Sequence, residues 1–188
     1  MLTDTQKPRE SILAERLKHF LRVIVAAIAR STKSPEILHY PNEALFTLAV
    51  DGKDQGRFIG KYGATIWSIQ TLLWYSGLAQ FGYSYSVKLL EPEIPFRNRV
   101  PMPIKFNPKW DRKVIHNLIT EIIGACLPEH ADYTIMETDA TNAIVTLNLP
   151  KYLQMQLDDP CFSEAFATVI HTSGMTQGVS LRTETIFG

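Results

Sequence analysis

The 188-residue sequence predicts an α+β protein of two similar modules, each running helix, strand, strand, helix, helix, strand. Three observations predict it. Apolar residues recur at helical spacing in separate segments, and alternate at strand spacing between them. Five prolines, at 92, 95, 101, 103 and 108, divide the chain near its middle into two stretches of similar order. An offset of 97 residues lays Thr71-Leu72-Leu73 and Ser76-Gly77 over Thr168-Val169-Ile170 and Ser173-Gly174, which points to an internal duplication. Each module is expected to be a small three-stranded sheet covered on one face by helices.

The elements follow in order. Residues 1–10 are polar, contain Pro8 and read as a flexible tail. From Ser11, the residues Ile12, Leu13, Leu17, Phe20, Leu21, Ile24, Val25 and Ile28 keep a helical period, which Ser31, Ser34 and Pro35 end. Glu36–Tyr40 and Ala44–Val50 read as a hairpin around Pro41-Asn42. A short helix and the turn Gly60-Lys61-Tyr62-Gly63 lead into a strong helix from Ala64 to Ser76, with Gly77 as its expected cap. Tyr83–Leu90 alternates as a third strand, closing a first module at 11–91.

The proline-rich stretch 92–108 reads as a linker, and a second module at 109–188 follows it. Its expected elements are a helix over Trp110–Cys126, a hairpin of Tyr133–Met136 and Ala143–Leu147, a helix over Phe162–Thr172 capped by Ser173-Gly174, and a strand over Val179–Ile186.

Composition narrows the function classes. A 45% hydrophobic content supports a packed core and argues against disorder. No stretch supplies the ~18 apolar residues of a membrane span, and no secretory signal is recognisable. Cys126 and Cys161 stand singly in apolar surroundings, so both read as buried thiols of a reducing, cytoplasmic compartment. The net charge is zero, yet residues 1–100 carry 13 Lys/Arg against 9 Asp/Glu and residues 101–188 carry 6 against 10. Only the first half has the sign that suits a polyanion.

The most informative stretch is Asp54-Gln-Gly-Arg-Phe-Ile-Gly-Lys-Tyr-Gly-Ala-Thr-Ile-Trp. Gly60 and Gly63 bracket two polar residues where one helix hands over to another. Glycine there lets the chain turn tightly and lets a phosphate backbone approach without a Cβ in the way. The following helix presents free N–H groups and its positive dipole end to the same spot. Lys61 adds a mobile cation, while Ile59 and Ile66 flank the turn.

This order, with Ile-Gly-Lys-x-Gly-x-x-Ile, resembles a prokaryotic (type II) KH domain over about residues 12–91. Gly56-Arg57-Phe58-Ile59-Gly60-Lys61 and Ile66-Trp67-Ser68-Ile69-Gln70-Thr71-Leu72 are similar to stretches of the bacterial KhpA and KhpB (Jag) group. The resemblance implies a groove holding about four nucleotides of single-stranded RNA. By position, Gly60, Lys61, Tyr62 and Gly63 would clamp the backbone, with Lys53 and Arg57 assisting. Ile59, Ala64 and Ile66 would line the base-facing side. Tyr62 departs from the basic or polar residues common in the middle of such loops; its ring could stack on a base or shield the turn.

At the matching positions the second half has Leu157-Asp158-Asp159-Pro160. Carboxylates repel phosphate, so this half reads as a degenerate KH-like module for packing, dimerisation or partner recognition. Its first helix offers a rival reading. Arg112 and His116 resemble the Arg-x-x-x-His signature that follows the KH domain in Jag proteins and implies a nucleotide-phosphate contact, although the elements that usually precede it are missing.

Trp67 and Trp74, seven residues apart on the second helix of the first module, either pack beneath the second module or the linker, or form an oligomer or partner interface. The five histidines are scattered, which gives no metal-ligand spacing, and no nucleophile–base pair or nucleotide-hydrolysing motif appears. The expectation is therefore a non-catalytic binder of single-stranded RNA without metal or cofactor, and the resemblance to the KhpA/KhpB group implies a role in post-transcriptional regulation or one linked to the ribosome. A homodimer or a protein partner is a further expectation, through the Trp67/Trp74 face or the acidic half. The competing expectation is a scaffold of the same fold that binds protein alone.

Overall fold

A computed structural model describes residues 6–31, 35–82, 84–90, 110–127, 131–154 and 160–188. The first half holds α1 (Gln6–Ile28), β1 (Glu36–Tyr40), β2 (Leu45–Ala49), the short α2 (Gln55–Ile59), α3 (Ala64–Phe81) and β3 (Ser86–Leu89). The second holds α4 (Arg112–Cys126), β4 (Asp132–Asp139), β5 (Asn142–Leu149), α5 (Pro160–Gln177) and β6 (Ser180–Phe187). The protein is α+β, with two three-stranded mixed sheets of identical topology. In each, the middle strand is antiparallel to the strand before it and parallel to the strand after it. A parallel neighbour requires a crossover, which α3 and α5 supply.

Several boundaries differ from the sequence reading, each for a local reason. Helix α1 starts at Gln6, inside the expected tail, because Pro8 falls in the first turn, where no intrahelical N–H is needed. Gly77 does not cap α3: the helix runs four residues further and ends at Gly82, whose φ of 65° lets its N–H reach the Gly77 and Leu78 carbonyls. Ser173 and Gly174 likewise lie inside α5. A Cβ on Gly174 would stand 2.9 Å from the Val179 carbonyl oxygen and against the Leu181 side chain, so this glycine admits the incoming β6 rather than ending the helix. Helix α4 begins where Asp111 accepts a hydrogen bond from Lys113 N at 2.9 Å. The proline-rich linker lies outside the described residues.

The two halves share one core. Among the described residues, nearly all the buried apolar side chains belong to one cluster that includes Phe20, Ile24 and Ile28 of α1, Ile69 and Leu72 of α3, Ile115 and Ile119 of α4, and Phe166 and Ile170 of α5. Helices α1 and α3 pack against α4 and α5, placing a helical layer between the sheets. Tyr75 meets Phe162 edge-on at 5.3 Å between ring centroids. The Cys126 thiol donates to the Leu72 carbonyl at 3.3 Å. Arg30, just past α1, donates to the Met175 carbonyl at 2.9 Å, and Thr176 donates its hydroxyl to the Ile28 carbonyl at 2.9 Å. The modules are thus structural repeats fused through their helices, and packing is a task the second one performs. Cys126 is buried as expected, whereas Cys161 is only half-buried.

Candidate nucleic-acid interface

The turn between α2 and α3 is built from backbone conformations that few residues tolerate. Gly60 has φ 70° and ψ −176°, and Gly63 has φ 85° and ψ 7°. Between them Tyr62 also takes a left-handed conformation, with φ 55° and ψ 26°. A non-glycine residue held there costs roughly 1–2 kcal/mol and is worth a functional explanation. The two glycines do different work. A Cβ on Gly60 would lie 2.8 Å from Thr65 N and collide with the Thr65 hydroxyl, so Gly60 lets α3 start directly over α2. A Cβ on Gly63 would meet nothing within 4 Å. Gly63 therefore faces open space, where an approaching chain has room.

The side chains between the glycines point outward. Tyr62 is 96% exposed, and Lys61 is exposed with its Nζ 5.4 Å from the Tyr62 ring centroid. No side chain hydrogen bond caps the start of α3 among the described residues. The Ala64 N–H donates to the Lys61 carbonyl, so the later N–H groups of the first turn and the positive end of an 18-residue helix lie behind the exposed loop.

The other expected site residues divide. Lys53 is exposed on the turn before α2, whose backbone is fixed by Lys53 N donating to Asp51 Oδ1 at 2.8 Å. Ile59 is half-buried and Ala64 is exposed, so both offer apolar surface beside the loop. Ile66 is half-buried too, with part of its side chain against the core. Arg57 is largely engaged: its guanidinium donates to Asp54 Oδ1 at 2.8 Å.

Asp54 is the residue that sequence reasoning missed. Its carboxylate is almost fully buried and also accepts the backbone N–H groups of Arg30, at 3.1 Å, and Ser31, at 2.8 Å. It thus ties α2, and with it the glycine loop, to the end of α1. The Asp54–Arg57 spacing of three on a helix was the available signal. Gln70 was missed as well. Its carboxamide accepts from Val87 N at 2.6 Å and donates to the Tyr85 carbonyl at 3.1 Å, closing part of the outer edge of β3 and fixing α3 against it.

The rival signature on α4 is occupied internally. Arg112 donates to Glu137 on β4 at 2.6 Å and lies over the Trp110 ring at 5.9 Å. His116 Nδ1 is 2.9 Å from the Tyr133 hydroxyl. Both side chains thus bind β4 and its surroundings. Leu157, Asp158 and Asp159 lie outside the described residues.

Trp67 and Trp74 are 45% and 43% exposed, so neither is packed away beneath the second half; the linker, the other cover expected for them, lies outside the described residues. Among the described residues, no helix is long and apolar enough to cross a membrane, and no three His, Cys, Asp or Glu side chains converge on one point. No protein-family model matches the chain, and neither does any curated protein.

Proposed function

We propose that the protein binds single-stranded RNA without catalysis, clamping the phosphate backbone on Gly60-Lys61-Tyr62-Gly63 as a KH domain of type II does. The observation that carries this reading is the loop itself. An aromatic residue stands almost fully exposed in a left-handed conformation, between two glycines and beneath an exposed lysine, at the start of a helix that no side chain caps among the described residues. Ala44 takes a similar left-handed conformation in the β1–β2 turn, so what a structural turn does not need is the exposed ring with the lysine over it. The sheet topology supports the reading, since the middle strand is flanked by one antiparallel and one parallel partner and the loop joins the two crossover helices.

In this scheme Lys61 and the α3 N-terminus meet phosphate oxygens, Tyr62 stacks on or beside a base, and Ile59 and Ala64 supply the apolar side. Arg57 acts mainly through Asp54, as a positioning residue. Lys53 adds long-range attraction. The second module carries no such loop in its sequence and serves as the packing partner of the first.

The test is binding to a pool of short single-stranded RNAs at 50 and 200 mM salt, beside the double variant Lys61→Asp, Tyr62→Asp. Salt-sensitive binding that the variant loses, with its circular dichroism unchanged, supports the clamp. Equal binding by both proteins, or none by either, overturns it. In the second case the scaffold reading takes its place.

A further inference from the structure

The exposed face of α3 carries more apolar surface than a solvent-facing helix needs. Ala64, Trp67, Thr71, Trp74 and Leu78 follow a spacing of three and four, so they form one stripe along the helix. Trp67, Trp74 and Leu78 are 45%, 43% and 39% exposed. The stripe starts at Ala64, the residue next to Gly63, and is therefore continuous with the glycine loop. Helix α3 contains no charged residue, so it presents no carboxylate to repel a phosphate chain.

The second half provides an internal control. At the offset of 97, the stripe becomes Cys161, Glu164, Thr168, His171 and Met175 on α5; of these Glu164 and His171, at the tryptophan positions, are exposed and the other three are half-buried. The same crossover helix, in the module whose loop positions hold Asp158 and Asp159, thus has an ordinary polar outer face. The tryptophans and the glycine loop occur together and are missing together. A shared ligand explains that coincidence. A protein contact on α3 alone would not require it.

We infer that the stripe extends the single-strand site: bases leaving the glycine loop stack on Trp67 and then Trp74. This rests on the RNA-binding reading above. The tryptophans are seven residues apart, about 10 Å along the helix axis, or roughly three stacked base steps. Added to the about four nucleotides a glycine loop holds, the footprint is about seven to eight nucleotides. Stacking tolerates any base, so the extension increases affinity with length and adds little sequence preference.

The experiment titrates 4-, 6-, 8- and 10-nucleotide single-stranded RNAs into the full chain, recording RNA anisotropy and intrinsic tryptophan fluorescence. Trp110 is buried, so the emission change reports chiefly on Trp67 and Trp74. Expected are quenching by the longer RNAs and affinity rising tenfold or more from four to eight nucleotides, then levelling. The Trp67→Leu, Trp74→Leu variant keeps an apolar surface but loses the stacking; it should bind the 4-mer like the parent and lose the gain with length. Binding of the 4-mer without quenching or length dependence overturns the extension and leaves the loop reading standing. No binding of any RNA overturns the loop reading and the extension together. If the leucine variant changes the oligomeric state while RNA affinities stay fixed, the stripe is a protein interface and the inference is wrong.

Discussion

Thr65 stands where a side chain on Gly60 would have to go, its backbone nitrogen 2.8 Å from the Cβ position, while Gly63, three residues along the same loop, faces nothing within 4 Å. The pair separates what the loop needs in order to fold from what it needs in order to bind. Gly60→Ala combines a clash with a backbone conformation reserved for glycine, and should cost about 2–4 kcal/mol of stability. Gly63→Ala meets only the left-handed penalty, about 1–2 kcal/mol, but puts a methyl group into the open approach. Chemical denaturation should rank Gly60→Ala well below Gly63→Ala. RNA binding should fall in both, and in Gly63→Ala it should fall while the protein is still fully folded.

Asp54 holds Arg57 and two backbone N–H groups with one buried carboxylate. Asp54→Ala leaves all three donors unmatched and should lower stability by about 2–4 kcal/mol in urea unfolding. Arg57→Ala should destabilise by less, because the two N–H groups still satisfy the carboxylate. Asp54→Ala should also weaken RNA binding, although Asp54 is buried behind the loop.

The hydroxyls of Ser76 and Ser173 are buried and have no hydrogen-bond partner among the described residues, and they occupy equivalent positions in the two halves. Replacing either by alanine removes an unsatisfied polar group from a helix interior. Each Ser→Ala change should raise stability by about 1 kcal/mol, read as a higher denaturation midpoint with an unchanged slope. A loss of stability in both would show that the hydroxyls make bonds absent from this structure.

Burial pushes the Cys126 thiol well above its ordinary value of 9.0, with nearby Glu121 adding to the effect. A raised folded-state value means that the folded protein retains a proton which the unfolded chain releases. The contribution is complete below about pH 9 and is lost as pH rises further. From pH 9 to 10.5, the parent should lose up to about 1.4 kcal/mol per pH unit more than Cys126→Ala. Thiol reagents should label Cys126 only as the chain unfolds.

Helix and strand order was legible because the apolar period changes between 3.6 and 2 along the chain, and the offset of 97 survives in the buried positions of α3 and α5. The ends of those helices were not legible. A serine–glycine pair is a common stop signal, but Gly174 is there to admit β6, which only the tertiary packing reveals. The fusion of the halves into one core was hidden as well, since Phe20, Leu72, Ile119 and Phe166 would look the same covering their own small sheets. At the candidate site the loop was readable from Gly60 and Gly63. What escaped was the service role of Arg57, because a cation beside a glycine loop looks alike whether it meets a phosphate or a buried aspartate.

The most direct test of the central claim is photo-crosslinking of the full chain to a short 4-thiouridine RNA, followed by peptide mapping. RNA held on the glycine loop should give crosslinks concentrated between Lys53 and Trp74, with Tyr62 prominent, that disappear in Lys61→Asp, Tyr62→Asp. Crosslinks confined to residues 110–188, or unchanged in the double variant, would contradict it.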